Sequence, residues 1–200
     1  MLYELFTPLI EYYSPFNLFE YITFRAATAA IVALILSFLI GPRIIHILHT
    51  HQIGEEIRSS GPKSHLKKKG TPTMGGVIIL SAVLLPTLLF AKLQSTFVQI
   101  ILFSVIWMGF IGFIDDYLKV VKKYENGLIA RYKMAGQILL GIIISLWITS
   151  TSSFEPFATM TTIPFLKNAE IDLGILYPLM VVLVITGTSN AVNLTDGLDG

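Results

Sequence analysis

The sequence predicts an all-α, polytopic helical membrane protein, and three observations carry that prediction. Of 200 residues, 54% are hydrophobic and only 14% are charged, where a soluble domain carries about a quarter charged. Mean hydropathy is +0.71. The apolar residues fall in five long runs of about the length that crosses a bilayer. Those runs predict spans at about 22–48, 73–91, 97–114, 134–149 and 174–192, within a single membrane domain over 1–200.

Residues 1–21 come before the first span and carry Tyr3, Phe6, Tyr12, Tyr13, Phe16, Phe19 and Tyr21. They predict an interfacial aromatic belt with a short surface helix. No basic residue precedes Arg25, so the stretch does not read as a secretory signal peptide. Arg25 stands near the start of the first span, where its long side chain can snorkel to the interface. His46 and His49 end that span three residues apart, a spacing open to a metal, although polar residues leaving the membrane is the stronger reading.

The second span follows a basic loop, Lys67-Lys68-Lys69-Gly70-Thr71-Pro72-Thr73-Met74-Gly75-Gly76, and contains Pro86. Proline is tolerated inside a span where packing satisfies the freed backbone groups. The third span ends at Asp115-Asp116. The fourth is the shortest and is preceded by Arg131 and Lys133. Between the fourth and fifth lies a loop in which Ile163–Leu166 and Ala169–Leu173, around Lys167-Asn168, predict a small β-hairpin near 163–173. The fifth span contains Pro178 and runs into Asn190–Gly200.

The chain has no cysteine, which excludes disulfides and thiolate metal sites. Net charge is +1 and says nothing about partners, but the distribution of charge does. Eleven of the fourteen basic residues fall on one side of the predicted spans and three, Arg25, Lys92 and Lys167, on the other. Basic residues mark the cytoplasmic side. The N-terminus is therefore expected outside, with loops 49–72 and 115–133 in the cytoplasm.

This orientation brings four polar groups to the cytoplasmic surface: Lys67–Thr73, Asp115-Asp116, Arg131 with Lys133, and Asn190–Gly200. Acids at the ends of membrane helices are costly and mark function. The paired acids would face the negative end of their helix dipole, so a positive partner is expected. Hard oxygen ligands of this kind suit Mg²⁺; helical salt bridges from Asp115 or Asp116 to Lys119 or Lys123 are the plainer alternative. Asn190, Asn193 and Asp196 follow at three-residue spacing and form one polar stripe if the helix persists, with Asp199 a further step along. The basic loop can attract phosphates but is not a Walker A loop, and its lysines alone read as a positive-inside anchor.

Three of these segments resemble the phospho-N-acetylmuramoyl-pentapeptide-transferase family: Gly70–Gly76, Asp115-Asp116-Tyr117-Leu118-Lys119, and Asn190-Ala191-Val192-Asn193-Leu194-Thr195-Asp196-Gly197-Leu198-Asp199-Gly200. The resemblance runs along the whole chain. It implies a bacterial plasma-membrane enzyme of about ten helices that moves phospho-MurNAc-pentapeptide from UDP-MurNAc-pentapeptide to undecaprenyl phosphate. The products would be lipid I and UMP, for peptidoglycan and cell-wall synthesis, with Mg²⁺ as cofactor. By motif match Asp115, Asp116 and Asp196 are the catalytic acids, and Asp115 and Asp116 lie near the metal. Asp115 is the candidate for keeping the lipid phosphate deprotonated. Asn193 lines the same polar site. Lys68 and Asp199 would contact the nucleoside, Thr73 would support that pocket, and Lys119, Lys123 and Lys133 would hold phosphates. Membrane lipids and a second copy of the chain are the other implied partners; nucleic acid is not one. Family chains run well past 300 residues, with a further metal-binding aspartate and a histidine-rich loop in the later half. The first 200 residues alone are therefore expected to be inactive.

Two rivals compete with this reading. A related polyprenyl-phosphate transferase using another UDP-sugar would keep both acidic motifs. An ion-coupled transporter would place acids in mid-span, whereas here they stand at span ends.

Overall fold

The computed structural model describes residues 1–50, 74–124, 127–163, 165–166 and 169–199. The chain is a multi-pass helical membrane protein whose residues pack as two units, Met1–Leu128 and Ile129–Gly200.

The first unit opens with a short helix, α1 (Leu2–Phe6), and 3-10 turns at Thr7–Leu9 and Ser14–Glu20. Here the aromatic belt makes a ring cluster: Phe6 packs on Phe16 and Phe19 at centroid distances of 4.6 Å. Three helices follow: α2 (Ile22–Thr50), α3 (Gly76–Phe90) and α4 (Thr96–Val120). Arg25 turns back from α2 to donate to the carbonyls of Phe19 and Glu20, with its guanidinium 4.7 Å from the centre of the Tyr3 ring. Lys92, just past α3, reaches the same ring at 5.4 Å. Two of the three basic residues assigned to the outer side therefore meet at one end of this unit. Its acidic pair lies toward the other end of α4.

α3 packs against both neighbours. The Gly41 position on α2 faces Ile78, and Gly109 on α4 is so close to Leu80 that an added Cβ would stand 2.7 Å from its Cδ1. Pro86 is fully buried on α3.

The second unit holds α5 (Ala130–Ser150), a two-stranded antiparallel hairpin of β1 (Met160–Thr162) and β2 (Glu170–Asp172), and α6 (Tyr177–Asp199). α5 buries Gln137, Leu140, Gly141, Ile144 and Ser145. That spacing is one helical face, and it packs against α6. A Cβ at Gly141 would lie 2.9 Å from the Val182 Cα, so the two backbones approach as closely as glycine allows.

Several boundaries differ from the sequence expectation. Among the described residues, four segments are long and apolar enough to cross a membrane: Ile22–Leu48, Thr96–Val120, Ala130–Ser150 and Gly174–Thr195. The second predicted span, 73–91, is a shorter apolar helix of 15 residues. The third span does not stop at 114, because α4 continues through the acidic pair to Val120. An Asp115–Lys119 ion pair one turn apart supports that last stretch. The hairpin is present, but its first strand is Met160–Thr162 rather than 163–166. Pro164 has no N–H to give a ladder, whereas Thr161 and Thr162 are β-branched; Pro164, Lys167 and Asn168 themselves lie outside the described residues. Pro178 falls in the first turn of α6, after a 3-10 turn at Gly174–Leu176, where a missing N–H leaves no bond unmade.

Candidate active site

Asp115 is buried, at 7% exposure, and is the more enclosed of the two described acids of the predicted set. Its Oδ2 receives the Lys119 ammonium at 2.9 Å. Its Oδ1 accepts the backbone N–H of Leu128 at 2.8 Å. The first contact follows from helical spacing. The second needs the chain after α4 to double back. Past Val120 the backbone turns at Lys123, which has φ 54, and the Tyr124 N–H donates to the Leu118 carbonyl at 3.0 Å. The Gly127 N–H then donates to the Tyr124 carbonyl at 2.9 Å, with Gly127 at φ 59. The end of α4 is thus closed by its own following loop, and Asp115 anchors that closure.

The positive partner expected for a carboxylate at a helix C-terminus is therefore Lys119, half-buried beside it. Asp116 is half-buried on the next position of α4. Lys123 is exposed and serves the turn through its left-handed backbone, a conformation that normally favours glycine or asparagine. Among the described residues no three His, Cys, Asp or Glu side chains gather as a metal cage. Asp115 and Asp116 are neighbours on α4, so their side chains do not face each other, and both Asp115 oxygens already have partners within the chain.

In the second unit the polar stripe of α6 is carried by an unbroken helix to Asp199. Asn190 donates to the Gln137 Oε1 at 2.8 Å and to the Thr186 carbonyl at 2.7 Å. Gln137 in turn donates to the Ser189 Oγ at 3.1 Å. This amide cluster fixes the register of α5 against α6. One turn from Gln137 toward the start of α5 is Lys133, and one turn from Asn190 toward the end of α6 is Asn193. In an antiparallel pair the two come to one level, so Lys133 and Asn193 share one end of the unit. The side chains of Asp196 and Asp199 lie outside the described residues, as do Lys68 and Thr73.

Sequence reasoning missed Gln137, Gly127 and the Leu128 N–H. Gln137 had a signal: it is a lone amide in an apolar run, one turn after Lys133. A backbone donor has none.

The comparisons with known proteins agree with the motifs. Residues 98–200 match the family model described as glycosyl transferase family 4. Residues 68–80 match the phospho-N-acetylmuramoyl-pentapeptide-transferase signature 1. Among relatives named phospho-N-acetylmuramoyl-pentapeptide-transferase, the chain is 46% identical to that of Endomicrobium trichonymphae over 200 residues, covering 100% of this chain and 55% of the relative. It is 48% identical to that of Citrifermentans bemidjiense with the same coverage. For Granulibacter bethesdensis the identity is 50% over 202 residues, covering 100% of this chain and 56% of the relative. The chain thus spans about half the length of these curated relatives. A match over half the chain, ending in the acidic segments just described, shows that it belongs to glycosyl transferase family 4, with the phospho-N-acetylmuramoyl-pentapeptide-transferase signature in its basic loop.

Proposed function

We propose that the full-length protein is a transferase of the plasma membrane. It moves phospho-MurNAc-pentapeptide from its UDP carrier to undecaprenyl phosphate, giving lipid I and UMP, with Mg²⁺ assisting at the cytoplasmic face. The observation that carries this reading is Asp115: a carboxylate buried at the end of an apolar helix, held by an ammonium and a backbone amide. Both reacting phosphates are anionic and repel each other. Positioned cations reduce that repulsion, and Asp115 is the acid we assign to take the proton from the lipid phosphate. Lys119 sits within reach of such a group, and Lys133 stands level with Asn193 on the second unit. The meeting of Arg25 and Lys92 at the opposite end of the first unit from Asp115 and Lys119 supports the orientation.

The test is transfer of label from UDP-MurNAc-pentapeptide to undecaprenyl phosphate by the purified full-length protein with Mg²⁺. Asp115→Asn, Asp116→Asn and Asp196→Asn are each expected to lower turnover by orders of magnitude while the protein stays folded. Glu170→Gln, on the exposed strand β2, is the control and stays near wild type. Equal turnover in Asp115→Asn and Glu170→Gln would remove Asp115 from the chemistry.

A further inference from the structure

We propose that Gly127 is a positioning residue for Asp115. It lets the loop after α4 close so tightly that the Leu128 N–H and the Lys119 ammonium fix the carboxylate in one orientation. The inference rests on the reading of Asp115 as an active-site acid.

Two separate features require glycine at this position. The first is backbone conformation: φ is +59, a region side-chain-bearing residues enter at a cost. The second is space. A Cβ at Gly127 would collide with Asp115 Oδ1, and it would stand 2.7 Å from Lys119 Cε and 2.9 Å from Lys119 Cγ. These are the oxygen that accepts the Leu128 N–H and the methylenes that carry the ammonium to Oδ2. A side chain here would disturb both contacts of the carboxylate together, one through its own Oδ1 and the other through Lys119.

The donor from Leu128 differs in kind from one on a side chain. Its position is set by the chain, and the chain here is tied back to α4 by the Gly127 N–H on Tyr124 and the Tyr124 N–H on Leu118. Asp115 is thereby oriented by covalent structure on one oxygen and by a flexible cation on the other. Rigid support of this sort preserves the productive geometry of a catalytic group, and small misplacements cost rate far more than binding.

The experiment uses the full-length protein in lipid nanodiscs and two readouts. Amide hydrogen exchange at Leu128 reports the clasp without reference to turnover. Asp115→Ala removes the acceptor, so Leu128 exchange should accelerate at least about tenfold. Asp115→Asn keeps an oxygen at the same place and should preserve protection. Unchanged exchange in Asp115→Ala would overturn the clasp. Kinetics then test positioning. Gly127→Ala and Gly127→Asn should both lower kcat by about ten- to a hundredfold, with KM for the UDP substrate held. Asparagine accepts the left-handed backbone readily, so it relieves the turn but not the collision. Wild-type kcat in Gly127→Asn would show that glycine serves the turn alone, and a rise in KM at constant kcat would overturn positioning. If the wild-type protein makes no lipid I yet shows the same exchange pattern, the proposed function fails and the clasp stands.

Discussion

Asp115 and Gln137 are both polar side chains enclosed among apolar helices, at 7% and 5% exposure, yet they find their partners in different ways. Asp115 is served locally: Lys119 is four residues away on the same helix and Leu128 thirteen away on the loop that follows. Gln137 is served at a distance: Ser189 and Asn190 lie 52 and 53 residues along the chain, on another helix. Both of these contacts of the charged centre can form once one helix and its loop have formed. The neutral centre exists only when two helices have docked. A charge in hydrocarbon is costly without a partner, whereas an amide can share bonds with its own helix, as Asn190 does with the Thr186 carbonyl.

The contrast can be broken most strongly at Gly141. Valine there would drive its Cβ into the Val182 backbone, with 2.9 Å to the Cα, and separate α5 from α6. A loss of about 1–3 kcal/mol is expected, read as a lower midpoint of thermal unfolding in detergent, with the Gln137–Asn190 bond lost as well. If Gly141→Val melted like wild type, the close docking of the two helices would be wrong. A subtler change measures the amide pair itself. Gln137→Leu, Asn190→Leu and the double variant form a thermodynamic cycle, with a coupling of about 0.6–1.7 kcal/mol expected for a hydrogen bond between membrane helices. Zero coupling would mean that the pair sets register without adding stability.

The smallest effect sharpens the charged side of the comparison. Asp172 repeats the logic of Asp115 at the end of β2, where it is exposed: its Oδ1 accepts from the Thr159 hydroxyl at 2.6 Å and from the Gly174 N–H at 2.9 Å. The Thr159 hydroxyl first, and then the Gly174 amide, hold its carboxyl below the usual 3.8. A lowered value means that the ionised form is the one the fold favours. Its contribution is present above the ordinary carboxylate value and is lost as pH falls through the lowered one. Thr159→Val should move that loss to higher pH, seen as hairpin amide shifts in an NMR titration. An unmoved titration would leave Asp172 without a structural part.

Much of the fold was legible because apolar run length alone defines a membrane span. The Asp115–Lys119 pair was legible too, since i,i+4 spacing is written in the sequence. The polar stripe ending at Asp196 required only that α6 continue, and it does. The extent of α4 was misread because a window of hydropathy stops at the first charge, while the helix stops only when its last carbonyls find other donors. The first hairpin strand falls a few residues before the apolar run because Thr161 and Thr162 are β-branched and Pro164 has no N–H to give. What Gln137 and the Leu128 N–H do could not be read at all. The first depends on how two helices dock, and the second is a backbone group that every residue but proline carries.

α2 and α3 pack side by side but differ greatly in length. The apolar stretch of α2 holds 27 residues and α3 only 15, or roughly 40 Å against roughly 22 Å of rise. A hydrocarbon slab of one thickness, about 30 Å, matches neither. A longer stretch accommodates by tilting, kinking or thickening the bilayer and a shorter one by thinning it, by snorkelling of flanking residues or by oligomerising, each at a fraction of a kcal/mol per Å. A bilayer that meets both helices is therefore expected to vary in thickness along the α2–α3 face.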